Sequence, residues 1–338
     1  MKTKGRVEAV AAFFRPRPAV PGAGRTALLA SRERFLSAQA LIVAFYAVLL
    51  FFALSNLFSW QDYLNATELT PRWPLFWLRF VDIRSGIAFI LWFHLLGGFL
   101  GVTLSGYRFA RILVFCSWLE FLALRYSFGS INHGDHLGLL LTFVLIFLPP
   151  GWSSRPTPTR YLRTATLLVF SGCQALIMLT YSMSGMWKVG GVVQQALEGE
   201  VTYLAPSALA RQVAAKLLSD ESSGILGPWL IEHSWAGWPL MIAALYLEVF
   251  ALWAVSRPSL HRGWGLGLIL LHVSTHLTMG VGFPQNPLWL ALFLVLSPFR
   301  PQPPRWRQAL RDLPLLGRWL GPSGIVAGAQ KHEQKEEA

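Results

Sequence analysis

Apolar runs long enough to matter as structural elements follow one another along this chain, separated by short segments that hold most of its charges. The runs fall at about 35–58, 85–106, 109–124, 131–149, 162–186, 238–256, 264–283 and 286–299. Several approach the length of about 20 residues that spans a bilayer at 1.5 Å per residue. The pattern predicts an all-α integral membrane protein with about eight transmembrane helices. It divides the chain into a basic tail over 1–34, a polytopic membrane domain over 35–299 and a C-terminal tail over 300–338. Extracytoplasmic segments at 59–84 and 187–237 interrupt the membrane domain. Within the second, Leu209, Val213 and Leu217 recur at helical spacing opposite Arg211, Gln212 and Lys216, which suits a helix lying on the membrane or capping a cavity.

Composition agrees with that pattern. Of 338 residues, 54% are hydrophobic and only 14% charged, against about 25% charged in soluble domains. A pI near 10.2 would suit a nucleic-acid binder, but the distribution of charge points elsewhere. With the N-terminus placed inside, 22 of the 29 Lys and Arg fall on the cytoplasmic side and every inner loop is positive. Both termini are therefore expected to be cytoplasmic, because basic residues accumulate in inner loops. A lipid bilayer is then the expected partner, with no nucleic acid, and a bacterial cytoplasmic membrane is the expected location. Trp60, Trp73, Trp77, Trp187, Trp229, Trp235, Trp238 and Trp289 fall at or beyond predicted outer ends and are expected to form an interfacial belt. Asn65-Ala66-Thr67 is a glycosylation sequon. Cys116 and Cys173, both within apolar runs, offer neither a disulfide framework nor a cysteine zinc site.

Ionisable groups inside spans cost about 2.5 to 3.5 kcal/mol each to insert and so point to function. Here they are His94, Glu120, Glu248, His272 and His276. Two spans add to the list by being short. Leu137 to Pro150 rises only about 21 Å and Leu288 to Phe299 about 18 Å, so the polar residues before them, His133, Asp135 and His136 in the first case, belong at membrane depth. Lys188 closes the fifth span, and His272 and His276 share one helix face four residues apart. These stretches predict an outward-opening polar cavity among the fourth, fifth, seventh and eighth spans, with Glu248 lining its deeper part. The alternatives are structural. His94 suits an interhelical hydrogen bond, Glu120 an ion pair with Arg125, Arg84 a snorkelling position beside Asp82, Asn132 or Asp135 a helix cap, and Lys188 an interfacial anchor.

Arg84-Ser85-Gly86-Ile87-Ala88, Asn132-His133-Gly134-Asp135-His136-Leu137, Tyr181 to Lys188, and His272 followed by Met279-Gly280-Val281-Gly282-Phe283 stand in this order. Together they resemble the horizontally transferred transmembrane domain, the membrane core shared with vitamin K-dependent gamma-carboxylase, over about residues 80–299. The resemblance implies chemistry on reduced vitamin K or another quinone, with Lys188 as the base that ionises the hydroquinone and His133 and His272 as further catalytic groups. Asp135, His136, His276 and Glu248 would help bind the cofactor. The carboxylases follow the lysine with an acidic residue and tryptophan, where this chain has Val189-Gly190-Gly191-Val192-Val193. They also carry a large extracytoplasmic domain where this chain has a 39-residue tail. A quinone-like or lipid ligand is therefore the expectation, rather than a carboxylated peptide. Two other classes fit some of the same residues. His133-x-x-His136 and His272-x-x-x-His276 with Glu120 and Glu248 resemble metal-ligand spacing in an oxidase, and a non-enzymatic carrier or assembly subunit would use the cluster only to hold helices together.

Overall fold

Buried positions on the first helix, Phe35, Ala38, Ile42, Phe45, Tyr46, Leu49 and Ala53, recur at the three- and four-residue intervals of one helix face. The opposite face stays apolar: Phe51 is 64% exposed, and Leu36, Val43 and Leu54 are exposed beside it. A helix apolar all round belongs in lipid or in a large core. The same holds elsewhere in the bundle, where Trp92 and Leu270 stand more than half exposed on helix faces. The computed structural model describes residues 31–64, 69–129, 133–153, 158–200, 202–220, 224–301 and 306–317, apart from the side chains of Trp60, Leu64, His133 and Asp220. The N-terminal tail to residue 30, the Asn65 sequon, Asn132 and the charged end after residue 317 lie outside the described residues.

All regular structure among the described residues is helical: α1 (Arg32–Phe58), α2 (Trp60–Leu64), α3 (Ile83–Leu104), α4 (Arg108–Ser127), α5 (His136–Leu145), α6 (Arg160–Leu197), α7 (Ala208–Asp220), α8 (Gly227–Glu232), α9 (Gly237–Val249), α10 (Ala251–Val255), α11 (His261–Met279), α12 (Gln285–Leu290) and α13 (Trp306–Asp312). By length and composition, α1, α3 and α6 are apolar and long enough to cross a membrane. The two spans expected to be short form short apolar helices, His136–Leu145 and Gln285–Val295.

Helix starts follow local rules. The Asp82 carboxylate accepts the Ser85 backbone N–H at 2.9 Å and the Ser85 hydroxyl at 3.0 Å, opening α3. Thr159 does the same for Leu162 N–H at the start of α6. Gly280 ends α11 in the left-handed region, at φ 71°, donating its N–H to His276 O. A residue with Cβ pays steric strain there, so α11 stops at Met279 and not at 283.

Packing decides how the helices meet. In α3, Gly97 lies against Ser117, Gly98 against Leu50 and Gly101 against Tyr46, each too close for an added Cβ. Small residues at such spacing let helices approach in a medium that supplies no hydrophobic drive between them. The short α12 and the π turn that continues it, Ala291–Val295, sit at the centre. Trp289, Leu290, Phe293 and Leu294 are fully buried, with Phe45 packed on Trp289 at 4.8 Å and Phe170 on Phe293 at 5.1 Å. This short apolar segment is thus enclosed by protein on its buried face. A π turn frees backbone carbonyls, and Gln174 Nε2 donates to that of Phe293 at 2.6 Å and to Ser297 Oγ at 2.9 Å. Trp289 is thus a core residue, and its place in the predicted interfacial belt is corrected.

Arg111, 1% exposed, gathers one end of the bundle. Its guanidinium donates to Ser105 O at 2.6 Å, to Ile146 O at 3.2 Å and to Leu148 O. Trp152 Nε1 also donates to Ser105 O, and Gln39 Nε2 to Trp152 O and Ser153 O. The start of α1, the α3–α4 turn and the end of α5 therefore share one end. At the other end of α4, Thr70 N–H donates to Ser127 O at 2.8 Å and Arg72 Nε to Tyr126 O at 2.9 Å.

Candidate functional site

Tyr181, Ser184 and Lys188 stand at positions i, i+3 and i+7 of α6, on one helical face. That face meets α9 at Gly185, where a Cβ would come within 2.5 Å of Val249 N and 2.8 Å of the Glu248 carbonyl carbon. No other residue fits so close an approach, and it brings Lys188 to Glu248. The Lys188 ammonium donates to both Glu248 oxygens, at 2.6 and 2.5 Å. Glu248 is nearly buried, with its side chain 6% exposed, while that of Lys188 is 37% exposed. Ser184 Oγ approaches the same carboxylate at 3.5 Å.

Behind this pair the helix is broken. The α9–α10 junction at Phe250 interrupts the regular ladder, and Ser182 bridges it, its hydroxyl accepting from Leu252 N–H at 2.8 Å and donating to Val249 O at 3.3 Å. Glu248 therefore sits in the last turn before a break that α6 itself supports.

Lys188 opens onto a cavity of about 440 Å³ lined by Leu209 and Gln212 of α7, Leu240, Met241 and Ala244 of α9, and Leu270, Leu271, Ser274 and Thr275 of α11. Its size is within the range of small-molecule sites, and its mix of apolar wall and few polar groups is typical of them. The α7 helix caps one side. The predicted cavity is corrected in two respects: its wall is mostly apolar, and it comes from α6, α7, α9 and α11 without α5 or α12.

His272 lies on the other side of α11. Its Nε2 shares a hydrogen bond of 2.5 Å with the Tyr181 hydroxyl, and the Phe283 ring packs edge-on against it at 5.4 Å. It is outside the cavity wall, and its link to Tyr181 ties α11 to the α6 face that carries Lys188. His276 is exposed and does not join His272 in a buried cluster.

The residues before α5 are partnered separately. Asp135 pairs with Arg125 at 2.8 Å and makes no side-chain cap of α5, while His136 packs edge-on against Tyr126 at 5.4 Å. The side chain of His133 lies outside the described residues. Arg125 is thereby taken by Asp135, correcting the expected partnership with Glu120, whose Oε2 is buried with no hydrogen-bond partner among the described residues. His94 is buried too, stacked on Phe121 at 4.2 Å. Among the described residues neither of its ring nitrogens has a hydrogen-bond partner, so the interhelical bond expected of it is replaced by ring packing. No group of three or more His, Cys, Asp or Glu side chains among the described residues is close enough to hold a metal ion.

Among the described residues the fold is all-helical, with three helices long and apolar enough to cross a membrane, and a lysine–carboxylate pair borders a mostly apolar cavity. The chain matches no family model, no curated protein and no solved structure. Sequence reasoning passed over Ser182 and Gly185, the residues that set the α6–α9 contact. The available signal was the small-residue cluster Ser182, Ser184, Gly185 one to two turns before Lys188.

Proposed function

We propose that this chain is an eight-span membrane protein of the gamma-carboxylase-like transmembrane type, with both termini cytoplasmic in a bacterial inner membrane. It binds a lipophilic molecule bearing a weakly acidic hydroxyl beside Lys188 and exchanges a proton with it. The carrying observation is the Lys188–Glu248 pair on the wall of an apolar cavity of about 440 Å³. A pair with a nearly buried carboxylate gains little over apolar packing in stability, and an ionisable residue within a span marks a site.

The wall suits a quinone-like ring, since it is mostly apolar and carries a few polar groups, Lys188, Gln212, Ser274, Thr275 and Thr278. A reduced quinone held there would supply an acidic hydroxyl and two-electron redox chemistry. Lys188 passes a proton from its ammonium to the adjacent Glu248 carboxylate, which leaves a neutral amine facing the cavity. That amine accepts the hydroxyl proton of the bound molecule, so the molecule loses one proton, Glu248 gains one and Lys188 ends as ammonium. His272 acts as a positioning residue through Tyr181, holding α6 in register with α11. Eight crossings are supported by the 22 to 7 division of basic residues and by the grouping of helix ends around Arg111.

The test is lipid-extract mass spectrometry on purified wild type and variants. K188M should lose a co-purifying lipophilic molecule, and E248Q should weaken both its retention and the fold. K188M/E248L, which replaces the pair by apolar side chains, should restore stability but not retention. Wild-type retention in the double variant would sink the proposal and leave the pair a structural tie.

A further inference from the structure

We propose a second binding site, for an anionic phospholipid, at the end of the bundle where α10 meets α11, separate from the Lys188 cavity. A cavity of about 530 Å³ opens there between α9, the 258–260 turn with the start of α11, and α13. Its wall is apolar, with Leu260, Trp264, Ala309 and Leu313 on the sides, and two cations, Arg262 and Arg300, stand at its edge. Among the described residues the Arg262 guanidinium makes no hydrogen bond or ion pair, and that of Arg300 donates only to Val295 O, at 3.0 Å. Both guanidinium groups thus keep free donors.

The surrounding charge is one-sided. Arg307 and Arg311 on α13 are exposed nearby. Asp312, a carboxylate on α13, accepts the Ser259 hydroxyl. An apolar slot with unpaired guanidinium groups at its mouth matches an acyl chain below an anionic head group. Basic pockets between membrane helices bind such head groups through this combination. A zwitterionic lipid would leave the excess cation charge unanswered, and a free anion would leave the apolar slot exposed.

The slot is built, because the segment that closes it is held in place. Tyr246 OH donates to Pro314 O at 2.8 Å and Trp253 Nε1 to Asp312 O at 2.8 Å. These two bonds dock α13 onto α9 and α10, so the C-terminal segment forms one wall. Trp264 Nε1 donates to Leu247 O at 3.0 Å, fixing the side chain between this cavity and the one beside Lys188, which Leu247 also lines.

Native mass spectrometry of the full chain in mild detergent, titrated with dioleoyl phosphatidylglycerol, dioleoyl phosphatidylcholine or inorganic phosphate, tests the assignment. Phosphatidylglycerol should bind at one saturable site and survive dilution, phosphatidylcholine should not, and inorganic phosphate should not displace it. R262Q/R300Q should weaken phosphatidylglycerol binding by roughly 25-fold, about fivefold for each cation lost near a membrane surface. Arg262 is exposed, so R262Q alone, with its expected drop of about fivefold, carries the test if the double variant fails to fold. Gly263 faces open space, and G263F should fill the slot and abolish lipid binding with both arginines present. Equal binding of the two lipids, unchanged affinity in R262Q, full binding in G263F, or displacement by inorganic phosphate would each overturn the proposal.

Discussion

Replacing Gly185 by alanine tests the contact on which the candidate site depends. A Cβ at that position would lie 2.5 Å from Val249 N, 2.8 Å from the Glu248 carbonyl carbon and 2.9 Å from Glu248 Cβ, where ordinary contact begins at about 3.4 Å. Two of those three atoms are backbone, so no side chain can swing aside, and α6 and α9 must part by about 0.9 Å. The Ser182 bond to Leu252 N–H, 2.8 Å long, would stretch past useful length over the same displacement. Overpacking of this kind costs about 1 to 3 kcal/mol.

Gly190, five positions on in the same helix, meets nothing within 4 Å. The same substitution there should gain about 0.5 to 1 kcal/mol, because alanine loses less backbone entropy than glycine in a helix. The two variants differ by one methyl each and should move in opposite directions, separated by about 1.5 to 4 kcal/mol. Thermal unfolding in detergent measures the difference. Labelling of Lys188 by an amine-selective reagent gives a second readout, and it should accelerate in G185A alone as the pair with Glu248 loosens. If G185A stabilised the protein as G190A does, the close approach of α6 to α9, and the placing of Lys188 that follows from it, would be refuted.

Three further outcomes are expected. Arg111→Lys keeps the charge but lacks the planar fork that reaches the carbonyls of Ser105, Ile146 and Leu148, and should cost at least about 2 kcal/mol in unfolding, since bonds to charged groups are worth about 1.5 to 3 kcal/mol each; an unchanged transition would refute its role as the tie at that end. At the start of α3, the N–H and hydroxyl of Ser85 hold the Asp82 carboxyl below its usual range. The native state therefore favours the ionised form, so stability from this cap is present above the ordinary carboxylate value and is lost as pH falls from there through the lowered native value. Asp82→Asn, which caps without titrating, should flatten that part of the acid unfolding profile, and an unaltered profile would refute the account. Finally, Y246F/W253F removes the two bonds that hold α13 and should expose the segment after residue 300 to protease faster than wild type; equal cleavage rates would show that apolar contact alone docks it.

Much of the helical layout was legible in the sequence, because apolar run length and end signals are local. The limits of α1, α3 and α4 fall within three residues of those expected, while the side-chain caps Asp82 and Thr159 were passed over. Ionisable residues could also be picked out where they interrupt an apolar run, as Glu248 and His272 do, while Lys188 stood out by closing one.

What the sequence could not show is who meets whom. Lys188 finds Glu248 60 positions away, and Tyr181 finds His272 across 91. Arg125 takes Asp135 in place of Glu120, five positions away. α6 runs on past the predicted end at 186 to Leu197, because its Gly- and Gln-containing last turns lose the apolar signal without losing helical geometry. Trp289 reads as interfacial by its place near a helix end, yet it is buried because α12 lies at the centre of the bundle. Periodicity states which face of a helix is apolar, and in a membrane protein lipid accepts that face as readily as another helix does. The chain's own pattern thus determined its helices and its few costly polar residues. Only close packing at Gly185, and the rotation of α6 against α9 and α11 that it permits, decided that those residues form a pair beside a cavity.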